Sequence, residues 1–330
     1  MRNQTSRNPR LLLSGALALF CILSLALSGL KQEVRADSTA NASTVQVKKN
    51  QDVEKKNPAA DAADLLAQPE LVHFPGPNNT TLSGYIYRPA GDGRHKAIIW
   101  NHGSEPNPRK EEDLGRFYAG NGYVFFLPHR SGQGLSSDQA EYIGNKQKLC
   151  DEKLDPRKCR VDLHDVANHD VVAAVAWLKT RPFVDPSKIV MSGCSYGGIQ
   201  TLLAAEKGLG IRAFVPFAPG AMSWANTELR DRLKEAIKNA SGPDLNGHQI
   251  NNPSAPIFLI QANGDFSLGP YEVLGDILKH RGGLNGAKLY PKFGESHMDA
   301  HGVFATRLAG IKVWRDEVLH FFDQALGLVN

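Results

Sequence analysis

Cysteine is scarce: the 330 residues contain four, at positions 21, 150, 159 and 194. None stands in the Cys-x-x-Cys spacing that builds structural zinc sites, which excludes a metal centre of that kind. Excess charge is also lacking. Residues 1–36 carry Arg2, Arg7, Arg10, Lys31 and Arg35 against Glu33 alone, and without them basic and acidic residues are equal in number. Nothing in that balance calls for nucleic acid or another polyanion as a partner. No internal repeat is present, so the chain reads as one large α/β domain with extensions.

Arg2, Arg7 and Arg10 precede an apolar stretch from Leu11 to Leu30, and Val34-Arg35-Ala36 then offers a cleavage site before Asp37. This is the three-part plan of a secretory signal peptide. The competing reading is an uncleaved membrane anchor over residues 11–30, since about 20 apolar residues span a bilayer. Both readings place the folded part outside the cytoplasm, periplasmic or secreted, and any membrane contact is confined to this segment. Residues 37–70 are polar and aperiodic and read as a disordered tether. In an oxidising compartment Cys150 and Cys159 can close a short loop; otherwise they remain two free thiols.

From residue 71 on, apolar strands alternate with helical periods. Leu71–Phe74 and Leu82–Tyr87 read as an antiparallel pair, and Ala97–Trp100 and Tyr123–Leu127 as strands buried on both faces. Between them, residues 109–119 can form a helix. Residues 131–161 show no long apolar period and are expected as a loop over one end of the sheet, followed by a helix over 161–180. Further strands are expected at 188–191, 213–217, 256–261 and 287–290, with helices at 199–205, 271–281 and 313–326. Residues 222–254 interrupt this alternation with a helix capped by Asn226 and a loop from Ser241 to Pro253, either a lid-like element or a surface helix.

The chemistry concentrates at Gly193-Cys194-Ser195-Tyr196-Gly197-Gly198. A Gly-x-Ser-x-Gly between a strand and a helix is a nucleophile elbow, whose tight turn needs small flanking residues and lifts the serine above the sheet edge. In a doubly wound sheet, sites form at the carboxyl ends of strands. There the order Ser195, Asp265, His301 supplies a nucleophile, a carboxylate and an imidazole. The imidazole removes the serine proton; the carboxylate fixes its tautomer and stabilises its charge. His297 is the alternative base, or a pocket residue if His301 serves. The backbone N–H groups of Tyr196 and Ser104 are the expected oxyanion donors. His102 reads as a shaping residue of its loop. His129 and Arg130 either orient that loop or form an ordinary turn. Cys194 is a weaker candidate nucleophile, expected to point into the protein.

From about Leu71 to Leu326 the chain resembles α/β-hydrolases of the dienelactone-hydrolase-like group, which overlaps the catalytic domain of prolyl-oligopeptidase-like enzymes. The resemblance rests on Trp100-Asn101-His102-Gly103-Ser104-Glu105, Pro128-His129-Arg130-Ser131-Gly132-Gln133-Gly134, the elbow, Ala218-Pro219-Gly220-Ala221-Met222-Ser223-Trp224 and Gly264-Asp265. It implies an α/β-hydrolase fold, a mostly parallel doubly wound sheet with a small helical insertion, over residues 71–330. Dienelactone hydrolases carry cysteine at the elbow centre, where this chain has Ser195, and that departure points to ordinary ester chemistry. The expected activity is a serine hydrolase that cleaves small-molecule carboxylic esters through an acyl-enzyme, without cofactor or metal. The alternatives are a peptidase on short peptides, against which no N-terminal propeller is expected, and a noncatalytic binding protein on the same fold.

Overall fold

A computed structural model describes residues 67–240 and 255–329. The expected leader at 1–36, nearly all of the tether at 37–70 and the loop from Ser241 to Pro253 lie outside the described residues. No described helix is long and apolar enough to cross a membrane.

The chain order is β1 (Glu70–Pro75), β2 (Thr81–Tyr87), β3 (His95–Asn101), α1 (Glu112–Gly120), β4 (Tyr123–His129), α2 (Ile143–Leu149), α3 (Pro156–Lys179), β5 (Val184–Cys194) and α4 (Tyr196–Ala205). It continues with β6 (Phe214–Phe217), α5 (Thr227–Asn239), β7 (Phe258–Ala262), α6 (Gly275–Arg281), β8 (Gly286–Tyr290) and α7 (Leu308–Ala325). The eight strands form one sheet in the order β1-β2-β4-β3-β5-β6-β7-β8. β2 runs antiparallel to both β1 and β4, and every other pairing is parallel. This is the doubly wound sheet of an α/β-hydrolase fold.

Parallel strands joined by helices must be covered on both faces, which is why β3, β4 and β5 read as continuous apolar runs. One face packs Ala97, Ile99, Val124 and Met191 against Val171, Val175 and Leu178 of α3 and Leu202 and Leu203 of α4. The other packs Ile98, Trp100, Phe125 and Val190 against Leu114 and Tyr118 of α1 and Trp314, Phe321 and Phe322 of α7. A buried polar seam also ties α3 to α4: Asn168 donates to the Gln200 carbonyl and side chain, and Gln200 Nε2 donates to the His164 carbonyl.

Several boundaries differ from the sequence reading, each for a local reason. The region 131–161 is not all loop: it holds α2, and α3 starts five residues earlier than expected. α2 buries only Ile143, too little to leave an apolar period. The start of α3 is set by the Asp155 side chain, which accepts the Lys158 N–H at 2.9 Å, and by Pro156 in the first turn. Cys150 and Cys159 are joined by a disulfide across this junction. α1 begins three residues late because Glu111 takes a left-handed conformation (φ 48°). α7 begins five residues early because its Leu308 N–H is capped by Asp113 at the start of α1, 3.0 Å away. α5 follows its Asn226 cap as expected, the side chain accepting from the Leu229 N–H.

Candidate active site

β5 ends at Cys194 and α4 begins at Tyr196, so Ser195 alone makes the turn, at φ 59° and ψ −119°. A non-glycine residue held there stores about 1–3 kcal/mol of backbone strain, which the surrounding packing must offset. That packing is visible in the flanking glycines. A Cβ on Gly197 would sit 1.9 Å from the Asn101 carbonyl oxygen, and one on Gly193 would sit 2.6 Å from the same atom. The end of β3 therefore presses directly on the elbow. Asn101 is held in turn by its side chain, which donates to Thr201 Oγ1 at 3.0 Å.

Asp265 follows β7, and His301 lies on a π-helical turn, Asp299–Val303, after β8. Such turns insert an extra residue and re-aim a side chain. Both groups are buried, and His301 Nδ1 lies 2.9 Å from Asp265 Oδ1. Asp265 also accepts from the Phe266 N–H on Oδ1 and from Gln261 Nε2 on Oδ2. With Nδ1–H donating to the carboxylate, the imidazole must present a bare Nε2. That Nε2 is buried and has no hydrogen-bond partner among the described residues. Ser195 and His301 line one cleft of about 560 Å³, together with Trp100, Met222, Met298 and Val303 on its apolar side.

The other expected residues divide. Ser104 lines the cleft. Tyr196 is the first residue of α4, so its N–H has no acceptor within the helix. His297 does not line the cleft: it is exposed and its Nδ1 is tied to the Gly264 carbonyl at 2.7 Å, and Phe266 packs against both its ring and that of His301. Cys194 is buried with its Sγ against the His301 carbonyl, and burial pushes its thiol pKa far up, which disfavours the thiolate.

One of the two open readings of this loop falls away, and one residue of the cleft was not anticipated. His129 and Arg130 are not an ordinary turn: both are buried. The Arg130 backbone N–H donates to His102 Nε2, and its Nη2 donates to the Gly103 carbonyl. Since Nε2 accepts, the His102 proton sits on Nδ1 and donates to the same carbonyl at 3.0 Å, so that Nδ1 and Arg130 Nη2, 2.9 Å apart, converge as donors on one oxygen. Burial, then Arg130 and His129, holds the His102 pKa well below the imidazole range, so His102 stays neutral. Glu111 also lines the cleft. It is buried, and burial pushes its pKa up to about 7 although Arg307 lies 3.7 Å away and pulls the other way. In the sequence Glu111 stands in the run Arg109-Lys110-Glu111-Glu112-Asp113, which looks like a solvated surface; only Arg130 carried a signal, by its place just after a buried strand.

Residues 157–328 match the prolyl oligopeptidase family. A polyketide transferase from Penicillium sp is 26% identical over 198 residues, which take in 60% of this chain and 58% of that protein. Among solved structures, an acylaminoacyl peptidase from Pyrococcus horikoshii superposes with a TM-score of 0.54 at 16% identity, over 78% of this chain and 41% of the peptidase. The esterase Est22 gives the same TM-score and identity over 82% of this chain and 86% of the esterase. An esterase from the archaeon Pyrobaculum calidifontis gives 0.53 at 15% identity, over 81% and 90%. The chain thus spans little more than half of the transferase and under half of the peptidase. The family match takes in more than half of the chain and includes Ser195, Asp265 and His301, and the fold is one that peptidases and esterases share. The chain belongs to the prolyl oligopeptidase family and has the α/β-hydrolase fold.

Proposed function

We propose that the protein cleaves carboxylic esters through an acyl-enzyme formed on Ser195. Ser195 Oγ attacks the ester carbonyl as its proton passes to His301 Nε2. Asp265 keeps the proton on Nδ1 and stabilises the imidazolium. The Tyr196 and Ser104 N–H groups hold the oxyanion. Collapse of the tetrahedral intermediate expels the alcohol, which takes the proton from His301. Water then repeats the sequence on the acyl-enzyme and releases the acid. The observation that carries this reading is the buried Asp265–His301 pair whose free imidazole nitrogen lies in the same cleft as a strained serine. The apolar wall of Trp100, Met222, Met298 and Val303 suits a small, uncharged acyl or alcohol group.

Peptidase action on short peptides is the second reading, favoured by the family match itself. Purified protein assayed on p-nitrophenyl acyl esters and on aminoacyl anilides separates the two: we expect ester turnover to dominate, and preferential anilide cleavage would reverse the assignment. Ser195→Ala is expected to abolish both ester turnover and fluorophosphonate labelling; equal labelling of the variant would end the serine mechanism. Export is part of the proposal, supported by the plan of residues 1–36 and by the disulfide between Cys150 and Cys159.

A further inference from the structure

Arg130 is a buried cation with no carboxylate at ion-pair distance among the described residues. It is 3% exposed; its Nη2 lies 2.9 Å from His102 Nδ1, and Glu105 and Asp170 are the carboxylates whose charge reaches it. Among the described residues its Nε and Nη1 have no hydrogen-bond partner. Burying an unpaired guanidinium costs several kcal/mol, so its remaining contacts should say what it does there. Its Nη2 donates to the Gly103 carbonyl. Its planar head lies over the Tyr196 ring at 4.9 Å. Its own N–H fixes the tautomer of His102, which donates to the same Gly103 carbonyl. Gln133 adds a third donor to that oxygen at 3.3 Å and anchors the loop again at the Glu105 carbonyl, 2.7 Å away.

The Gly103 carbonyl and the Ser104 N–H are opposite ends of one rigid, planar peptide unit and point in opposite directions. Drawing the carbonyl back towards Arg130 therefore turns the Ser104 N–H the other way, and Gly103 and Ser104 both line the cleft that contains Ser195. Three donors on one carbonyl also polarise the peptide, which strengthens its N–H as a donor. The second expected oxyanion donor belongs to Tyr196, the residue Arg130 stacks against.

We infer that Arg130 is the positioning residue of the oxyanion site: through Gly103 and Tyr196 it orients both N–H donors, and its unpaired charge favours the negative oxygen that forms in front of them. This rests on the serine mechanism proposed above. The ground-state ester carries no such charge, so the effect belongs to the transition state.

Arg130→Met is expected to lower kcat on a p-nitrophenyl ester by about 100-fold, the scale of a lost oxyanion donor, with KM within about threefold of wild type. The affinity for a trifluoromethyl ketone, which forms a charged tetrahedral adduct with the serine, should fall by the same factor. Arg130→Lys keeps the charge but not the planar fork, and should lose about tenfold in both measurements. Rates are normalised to the titrated, fluorophosphonate-reactive fraction, so that misfolded protein does not count as lost catalysis. If Arg130→Met does not fold, Gln133→Leu removes one donor from the same carbonyl, and kcat and ketone affinity should fall together by about fivefold. Loss of kcat with unchanged ketone affinity, or wild-type values for both, overturns the inference in any of these variants. Retention of activity by Ser195→Ala would instead overturn the serine mechanism itself.

Discussion

Replacing Asp265 with asparagine tests the charge of the carboxylate apart from its shape. Every partner of Asp265 is a donor: His301 Nδ1 and the Phe266 N–H meet Oδ1, and Gln261 Nε2 meets Oδ2. Gln261 cannot flip to help, because its Nε2 also donates to the Ser267 carbonyl and its Oε1 accepts the Tyr271 N–H. The new amide therefore has one better placement. With its NH2 towards Gln261 it opposes one donor; with its NH2 towards His301 it opposes the Phe266 N–H and forces the wrong tautomer. The first placement keeps the imidazole tautomer and removes only the charge. At 2.9 Å and an effective dielectric constant of about 20, that charge stabilises an imidazolium by about 6 kcal/mol. The amide oxygen retains a neutral hydrogen bond worth about 1 kcal/mol. The net loss is then about 4–5 kcal/mol, or about 10³–10⁴-fold in kcat, with KM nearly unchanged. The opposed amides should also lower stability by about 1–3 kcal/mol. Burst kinetics on a p-nitrophenyl ester and urea unfolding read the two effects. A kcat loss below tenfold would refute the assignment of Asp265, whatever happened to stability.

Glu111 makes stability depend on pH in a defined direction. Its folded pKa of about 7 exceeds the ordinary 4.5, so between those values the folded state binds more protons than the unfolded one, and stability falls as pH rises through the window. The shift corresponds to at most about 3 kcal/mol. Glu111→Gln should therefore stabilise the protein at pH 8 and flatten its unfolding free energy between pH 5 and pH 7; an unchanged slope in that range would show that the carboxyl is already ionised when folded. Gly197→Ala should be the most damaging small substitution at the elbow, because the clash at 1.9 Å is with backbone, which cannot swing aside. Loss of more than about 3 kcal/mol, or failure to accumulate soluble protein, is expected; wild-type melting would disprove the contact between β3 and the elbow.

Much of the architecture could be read in advance because the physics that sets it is local. Ala97–Trp100 and Tyr123–Leu127 are apolar on both faces, and that pattern suits the interior of a parallel sheet. The elbow was legible because its Gly-x-Ser-x-Gly pattern is contiguous, although the atom its glycines make room for, the Asn101 carbonyl oxygen, lies far away in the chain. What escaped depends on partners distant in the chain. The start of α7 is set by Asp113 of α1, and no local pattern around Leu308 announces it. His297 and His301 are nearly equivalent as sequence; the π-helical turn and the bond to Gly264 separate them in space. Glu111 and Arg130 illustrate the same limit from the opposite side. Charged residues are ordinarily solvated, and only the assembled cleft shows that these two are enclosed.

The position of β3 bears on when the protein can first act. Asn101, at its end, braces the turn that carries Ser195, although nearly a hundred residues separate them. The two remaining members of the set come from still further along, at positions 265 and 301. On the proposed mechanism a ribosome-bound chain holds no competent serine until position 301 has emerged, because each partner of that oxygen emerges in turn and the imidazole follows the other two. Such distant pairings make folding slow, and the need for position 301 keeps the proposed hydrolase silent until that residue has emerged and folded.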